Sequence, residues 1–301
     1  MLKDIWQEAG RLESIFLEII EDPTKKEVLL YPICYCQLVR KENTFEVELP
    51  RLISCANKTF HTFRGRWQDI LLELDLFQLL TPRGDVICGK DILKVQSPDG
   101  FRISFLPEYR EVFYEVYSKF LKYWTVLSKV SSYSKRNTPA EGVYLSALIF
   151  NEELYSESIH FAGLQSLRFP GEEPFFSAVK HLSEFYLKVN ERREFPLPLL
   201  EKALAKVEEL RNPYYGVNTA RLRKDLEGLI RDVTRGRRYF VVKISFTVSS
   251  ERRKGSLRSF LERLLKRIGD FGRRKLNLMN QDRSYFREKS WRERREIRVS
   301  L

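Results

Sequence analysis

Apolar residues recur every three to four positions along much of the chain, and these stretches predict helices. Ile5, Leu12, Ile15, Phe16 and Ile19 form one stripe, so a helix is expected over 5–20, stopped by Asp22 and Pro23. Residues 28–39 are apolar without that period and rich in β-favouring types, which predicts a strand, with Pro32 confining it to an edge or a start. A short helix is expected over 48–55, a turn at Ala56-Asn57-Lys58, and a longer helix over 59–74 carrying Phe60, Phe63, Trp67, Ile70, Leu71 and Leu74 on one arc. Strands are expected over 86–95 and 101–105, joined by a Ser97-Pro98-Asp99-Gly100 turn. An aromatic-rich helix is next, over 108–130, then a polar stretch at 131–139 that reads as a linker.

Beyond it, helices are expected over 141–153, 175–189 and 198–210, with a loop through Pro170, Gly171 and Pro174 between the first two. Asn218-Thr219 caps a further helix running to Val233, whose apolar face holds Leu222, Leu226, Leu229 and Ile230. Next comes an alternation of period two: Phe240, Val242, Ile244, Phe246 and Val248 on one side, Tyr239, Lys243, Ser245 and Thr247 on the other. It predicts a strand with one face buried. Residues 256–268 read as an amphipathic helix, and 270–301 as an arginine-rich arm. The expected class is mainly α with short β-hairpins (α+β). Its expected parts are an N-terminal domain over 1–130, a linker over 131–139, a C-terminal domain over 140–269 and a basic arm over 270–301.

Charge sharpens this picture. The 301 residues carry a net charge of +12, yet residues 221–301 hold 25 Lys and Arg against 10 Asp and Glu, while residues 1–220 hold 28 against 31. A basic excess confined to one end marks a polyanion-facing surface, and nucleic acid is the first partner to consider. No window approaches about 18 uninterrupted apolar residues, so a membrane partner is not expected. The acidic N-terminal start does not match a signal peptide, and four cysteines suit a reducing compartment, so a cytoplasmic protein is expected.

Two constellations carry the cations. The first is the helix over 59–74 with its preceding turn, where Lys58, His61, Thr62, Gly65 and Gln68 lie opposite the apolar arc and Arg64 and Arg66 flank them. Helix, turn, helix and hairpin in this order resemble a winged helix over 45–106, a fold that lays one helix in the major groove and touches the backbone with its hairpin. The same unit could instead serve as a protein-binding surface.

The second constellation presents Arg221, Lys224 and Arg231 on the helix, and Arg235, Arg237 and Arg238 on the turn after it. Here Arg221-Leu222-Arg223-Lys224-Asp225-Leu226-Glu227-Gly228-Leu229-Ile230, the Arg235-Gly236-Arg237-Arg238 turn and the Ile244-Ser245-Phe246 strand resemble the C-terminal winged helix of plasmid replication initiators of the Rep type. The resemblance spans some 50 residues and implies tandem winged helices on repeated duplex sites. The N-terminal unit and the basic tail depart from it. Further cations stand at Arg252, Arg253 and Lys254, at Arg258 and Arg267, and at Arg273 and Arg274. Phe271, Tyr285, Phe286 and Trp291 are interleaved among them and could stack on bases or anchor the tail.

Catalytic and metal signals are weak. Cys34 and Cys36 would point the same way on a strand, but they lack structural-zinc spacing with Cys55 and Cys88. His61, His160 and His181 are isolated, and the acid pairs Glu152-Glu153, Glu172-Glu173 and Glu208-Glu209 have no companion motif. No catalytic residue, cofactor or metal is therefore assigned. The reading is a duplex-DNA-binding replication initiator or regulator, DNA being favoured over RNA. An RNA-binding subunit of a ribonucleoprotein and a metal-dependent nuclease are the alternatives. The oligomeric state is not legible.

Overall fold

The computed structural model describes residues 2–57, 65–129, 138–192, 194–236 and 239–247. It is mainly helical with one small antiparallel sheet, the class expected from the pattern. The chain divides into two compact units, Met1–Pro170 and Gly171–Leu301.

In the first unit α1 (Leu2–Glu21) runs along the expected stripe, with Leu12, Ile15, Phe16 and Ile19 buried. A 3-10 helix over Pro23–Leu29, opened by the Asp22 carboxylate accepting from the Thr24 amide, leads into α2 (Leu30–Glu42). The strand expected over 28–39 is thus a helix. Every residue from Val28 to Cys36 is buried, so no polar face exists to reveal a helical period, and an all-round apolar helix looks like a buried strand. Pro32 falls in the first turn, where its missing N–H costs nothing. Cys34 and Cys36, two apart on a helix, diverge instead of sharing a face.

A sheet of order β1-β4-β2-β3 covers α2: β1 (Val47–Glu48), β2 (Phe77–Leu80), β3 (Val86–Ile87) and β4 (Arg102–Phe105), all antiparallel. Val47 and Leu79 both face Ile103, and Phe77 faces Phe105. The Tyr35 ring of α2 lies against Phe105 and Phe77, with centroids 4.4 and 5.4 Å away. Its hydroxyl donates to the Phe45 carbonyl at 2.7 Å and accepts from the Phe105 amide at 3.1 Å. Burial pushes the Tyr35 phenol up to about 12.

The expected 86–95/101–105 hairpin is not the pairing found. β2, which the pattern does not mark, is one of the two inner strands, and β3 and β4 both pair with it. Gly89, at φ 56°, ends β3, and a 3-10 helix over Gly89–Lys94 takes the rest of the expected strand. β2 is only four residues long, Phe77-Gln78-Leu79-Leu80, and its first three are buried, Gln78 included, so neither an apolar run nor an alternation is long enough to mark it.

Among the described residues two helices sit between β1 and β2: α3 (Leu49–Asn57) and α4 (Trp67–Leu74). The helix expected over 108–130 is broken at Val112 into α5 (Pro107–Glu111) and α6 (Phe113–Lys129), whose Phe113, Tyr117, Phe120 and Leu127 are buried as expected. α7 (Pro139–Asn151) is capped by Thr138, and α8 (Tyr155–Arg168) returns along α1. Both belong with the first unit, while the sequence pattern groups them with the C-terminal helices.

The pattern predicts no helix over 155–168. The inward positions of α8 include Glu157, Ser158 and Gln165, which blur the apolar period, and their burial depends on partners elsewhere. The Glu157 carboxylate, 1% exposed, accepts from the Tyr123 hydroxyl at 2.5 Å and meets the Lys119 ammonium at 2.9 Å. Burial works to raise its pKa. The Lys119 charge and the hydrogen bonds from Tyr123 and Lys119 outweigh that and hold the acid below its ordinary range.

The described part of the second unit is built around α9 (Glu173–Arg192), α10 (Leu197–Glu208) and α11 (Thr219–Thr234), with α10 packed on both others. Phe175, Phe176, Leu182, Phe185, Leu200, Leu222, Leu226 and Leu229 fill its core. Residues 239–247 form an extended segment across these helices, not the sheet strand expected there. Among the described residues its only bridge is Val217 with Phe246. Period-two alternation requires only that one side be covered, and helices cover it here: Val242 and Ile244 are buried while Lys243 is exposed. Phe240, expected on the buried side, is 40% exposed.

Candidate nucleic-acid interface

α11 is set locally by its own sequence. Asn218 closes its N-terminus by accepting from the Arg221 amide at 3.0 Å, and the Asn218 amide donates to the Ser245 carbonyl at 2.8 Å. The leucines at 222, 226 and 229 point inward, so positions 221, 224, 228, 231 and 235 fall on one outward arc. Arg221, Lys224, Arg231 and Arg235 on that arc are all exposed.

Ion pairing divides the cations of this helix. Arg223, off the arc, meets Glu208 of α10 at 2.9 Å and Glu227 at 3.0 Å, and so fastens α11 to α10. Arg221 reaches Asp225 at a long 3.7 Å. Lys224, Arg231 and Arg235 have no acidic partner among the described residues. These three span about 16 Å at the ~1.5 Å rise of a helix. Unneutralised cations in a row are costly unless water or an anion screens them, so this arc is suited to a phosphate chain.

Gly228 lies in the middle of the arc, and the ring of Phe240 reaches over it. A Cβ built at Gly228 would stand 3.7 Å from Phe240 Cζ. The Phe240 main chain is held from α9: the Tyr186 hydroxyl donates to its carbonyl at 3.0 Å and accepts from the Val242 amide at 2.8 Å. Phe240 is legible in the sequence as an alternating apolar residue. Its exposure beside the cations is not.

The first constellation is arranged differently. Lys58, Thr62 and Arg64 lie outside the described residues. Arg66 stands at the N-terminus of α4 and donates two 2.8 Å hydrogen bonds to the Asp69 carboxylate, which they hold below its ordinary range. Gln68 donates to the Val95 carbonyl at 3.1 Å, and Glu73 pairs with Lys25 at 2.7 Å. The described part of α4 therefore offers solvent mainly Asp69. Arg237, Arg238, Arg252, Arg253, Lys254, Arg258, Arg267, Arg273 and Arg274 also lie outside the described residues, as do the aromatics of the arm.

The acids are engaged one by one. Glu152 pairs with Lys129 at 2.8 Å, Glu173 with Lys206 at 3.2 Å, and Glu172 accepts from the hydroxyls of Tyr214 and Tyr215. Among the described residues no three His, Cys, Asp or Glu gather as a metal site would require. No helix among them is long and apolar enough to cross a membrane.

No family model and no solved structure matches the chain. An uncharacterized protein of Aquifex aeolicus (strain VF5) is 39% identical over 282 residues, covering 94% of this chain and 90% of that protein. Identity at this level over nearly the full length of both is the mark of a shared fold, and the chain belongs to the same family as this Aquifex protein.

Proposed function

We propose that the chain is a nucleic-acid-binding protein, of the initiator or regulator class on duplex DNA, and that α11 is its phosphate-facing surface. The carrying observation is the exposed arc of Arg221, Lys224, Arg231 and Arg235, three of them without an acidic partner among the described residues. Arg223, already bound to Glu208 and Glu227, belongs to the scaffold.

The first unit supports a winged-helix reading by its order: α2, β1, α3, α4, β2, an excursion through β3, then β4 between β1 and β2. With Asp69 outward and Arg66 neutralised, we assign this unit to partner contact or positioning, and the phosphate contact to α11.

The test is fluorescence anisotropy with labelled duplex DNA, single-stranded DNA and RNA of equal length at several salt concentrations. Affinity should fall steeply with salt, by nearly one logarithmic unit per unit of log salt for each phosphate engaged. A flat salt response for all three ligands would overturn the proposal. RNA preference would move the assignment to a ribonucleoprotein subunit.

A further inference from the structure

From the position of Phe240 we infer that the α11 surface also takes an unpaired nucleobase on this ring, so that the duplex it binds adjoins a single-stranded segment. The inference rests on α11 being the phosphate-facing surface and adds to it the class of strand that is bound.

Phe240 shares the register of Val242 and Ile244, which are 1% and 2% exposed, whereas it is 40% exposed. The core is anchored by those two residues, so Phe240 is not needed for that purpose. An exposed ring set beside exposed cations presents a flat apolar face that a partner with a flat apolar face of its own can cover. The partner must also tolerate a cationic rim. Lys224 lies four residues before Gly228 and Arg231 three after it, both on the arc that the ring overlies. A nucleotide meets both demands, with its base on the ring and its phosphates along the cations.

The ring is also held in place. Tyr186, 1% exposed, bonds the main chain on both sides of residue 241, and the ring lies close beside Gly228 on the helix. A stacking surface that is already ordered loses little entropy on binding. A base in a continuous duplex is covered above and below by its neighbours and cannot stack on a protein ring. An unpaired base can.

The experiment uses the full chain with single-stranded DNA, a duplex of the same length, and a single strand carrying 2-aminopurine. Phe240→Ala should weaken single-strand binding about tenfold, the scale of one lost base–aromatic stack, with duplex affinity and the salt slope unchanged. Phe240→Trp should restore it, and wild-type protein should quench 2-aminopurine where Phe240→Ala does not. Single-strand affinity and quenching unchanged in Phe240→Ala, with the wild-type salt slope intact, would overturn the stacking role and leave α11 as a phosphate surface. Equal losses on single strand and duplex would overturn it as well. Absence of salt-dependent binding in the wild type would overturn both readings together.

Discussion

The hydroxyl of Tyr186 donates to the carbonyl of Phe240 at 3.0 Å, and the same oxygen accepts from the amide of Val242 at 2.8 Å. One buried side chain on α9 thus satisfies two main-chain groups of a segment that has no neighbouring strand there among the described residues. Backbone polar groups left unpaired in a core are costly, so this hydroxyl replaces the ladder a sheet would supply. Tyr186→Phe should destabilise the second unit by about 2 kcal/mol. Hydrogen exchange at the Val242 amide should accelerate by more than global destabilisation explains, and equal acceleration everywhere would refute the link.

Gly228 occupies a helix interior with negative φ, and a Cβ there would meet the Phe240 ring at ordinary contact distance. Gly228→Ala should therefore stabilise α11 by about 1 kcal/mol through helix propensity. Denaturant titration measures it. A loss of stability would mean that the ring cannot accept the methyl group.

Glu157 should set part of the acid limit of the first unit. Its folded pKa lies below the ordinary 4.5, so the unfolded chain binds its proton more tightly. The stabilisation is complete above pH 4.5 and is lost as the pH falls through the lowered folded value. Glu157→Gln leaves Lys119 without its carboxylate and should cost about 2–3 kcal/mol near neutral pH. The gap between variant and wild type should narrow below pH 4.5, as measured by thermal melts across a pH series.

Lys224→Ala and Arg231→Ala should each lower the salt slope of nucleic-acid binding by about one. Arg223→Ala should leave that slope unchanged, because its guanidinium is engaged by Glu208 and Glu227, and should instead loosen the α10–α11 contact slightly. A slope that drops equally in all three variants would show that ion pairing does not sort these cations.

α1, α6, α9, α10 and α11 are legible in the sequence because each has one wet and one dry face, and a 3.6-residue period comes from that alone. The arc on α11 is legible for the same reason. α2 reads as a strand because burial on all sides leaves no polar face to mark the turn of a helix. β2 escapes notice because four residues, with Gln78 among the buried ones, are too few to establish a period, and α8 because its buried positions hold Glu157, Ser158 and Gln165.

The order of residues alone therefore settles local matters: a mainly helical class, the Asn218 cap, and cations opposite leucines on α11. Packing in three dimensions settles which strands pair with β2, how Glu157 is neutralised by Tyr123 and Lys119, and that Phe240 stays outside the core above Gly228. Those outcomes join residues distant in the chain, and their energies depend on burial and partner geometry, which no periodicity along the chain encodes.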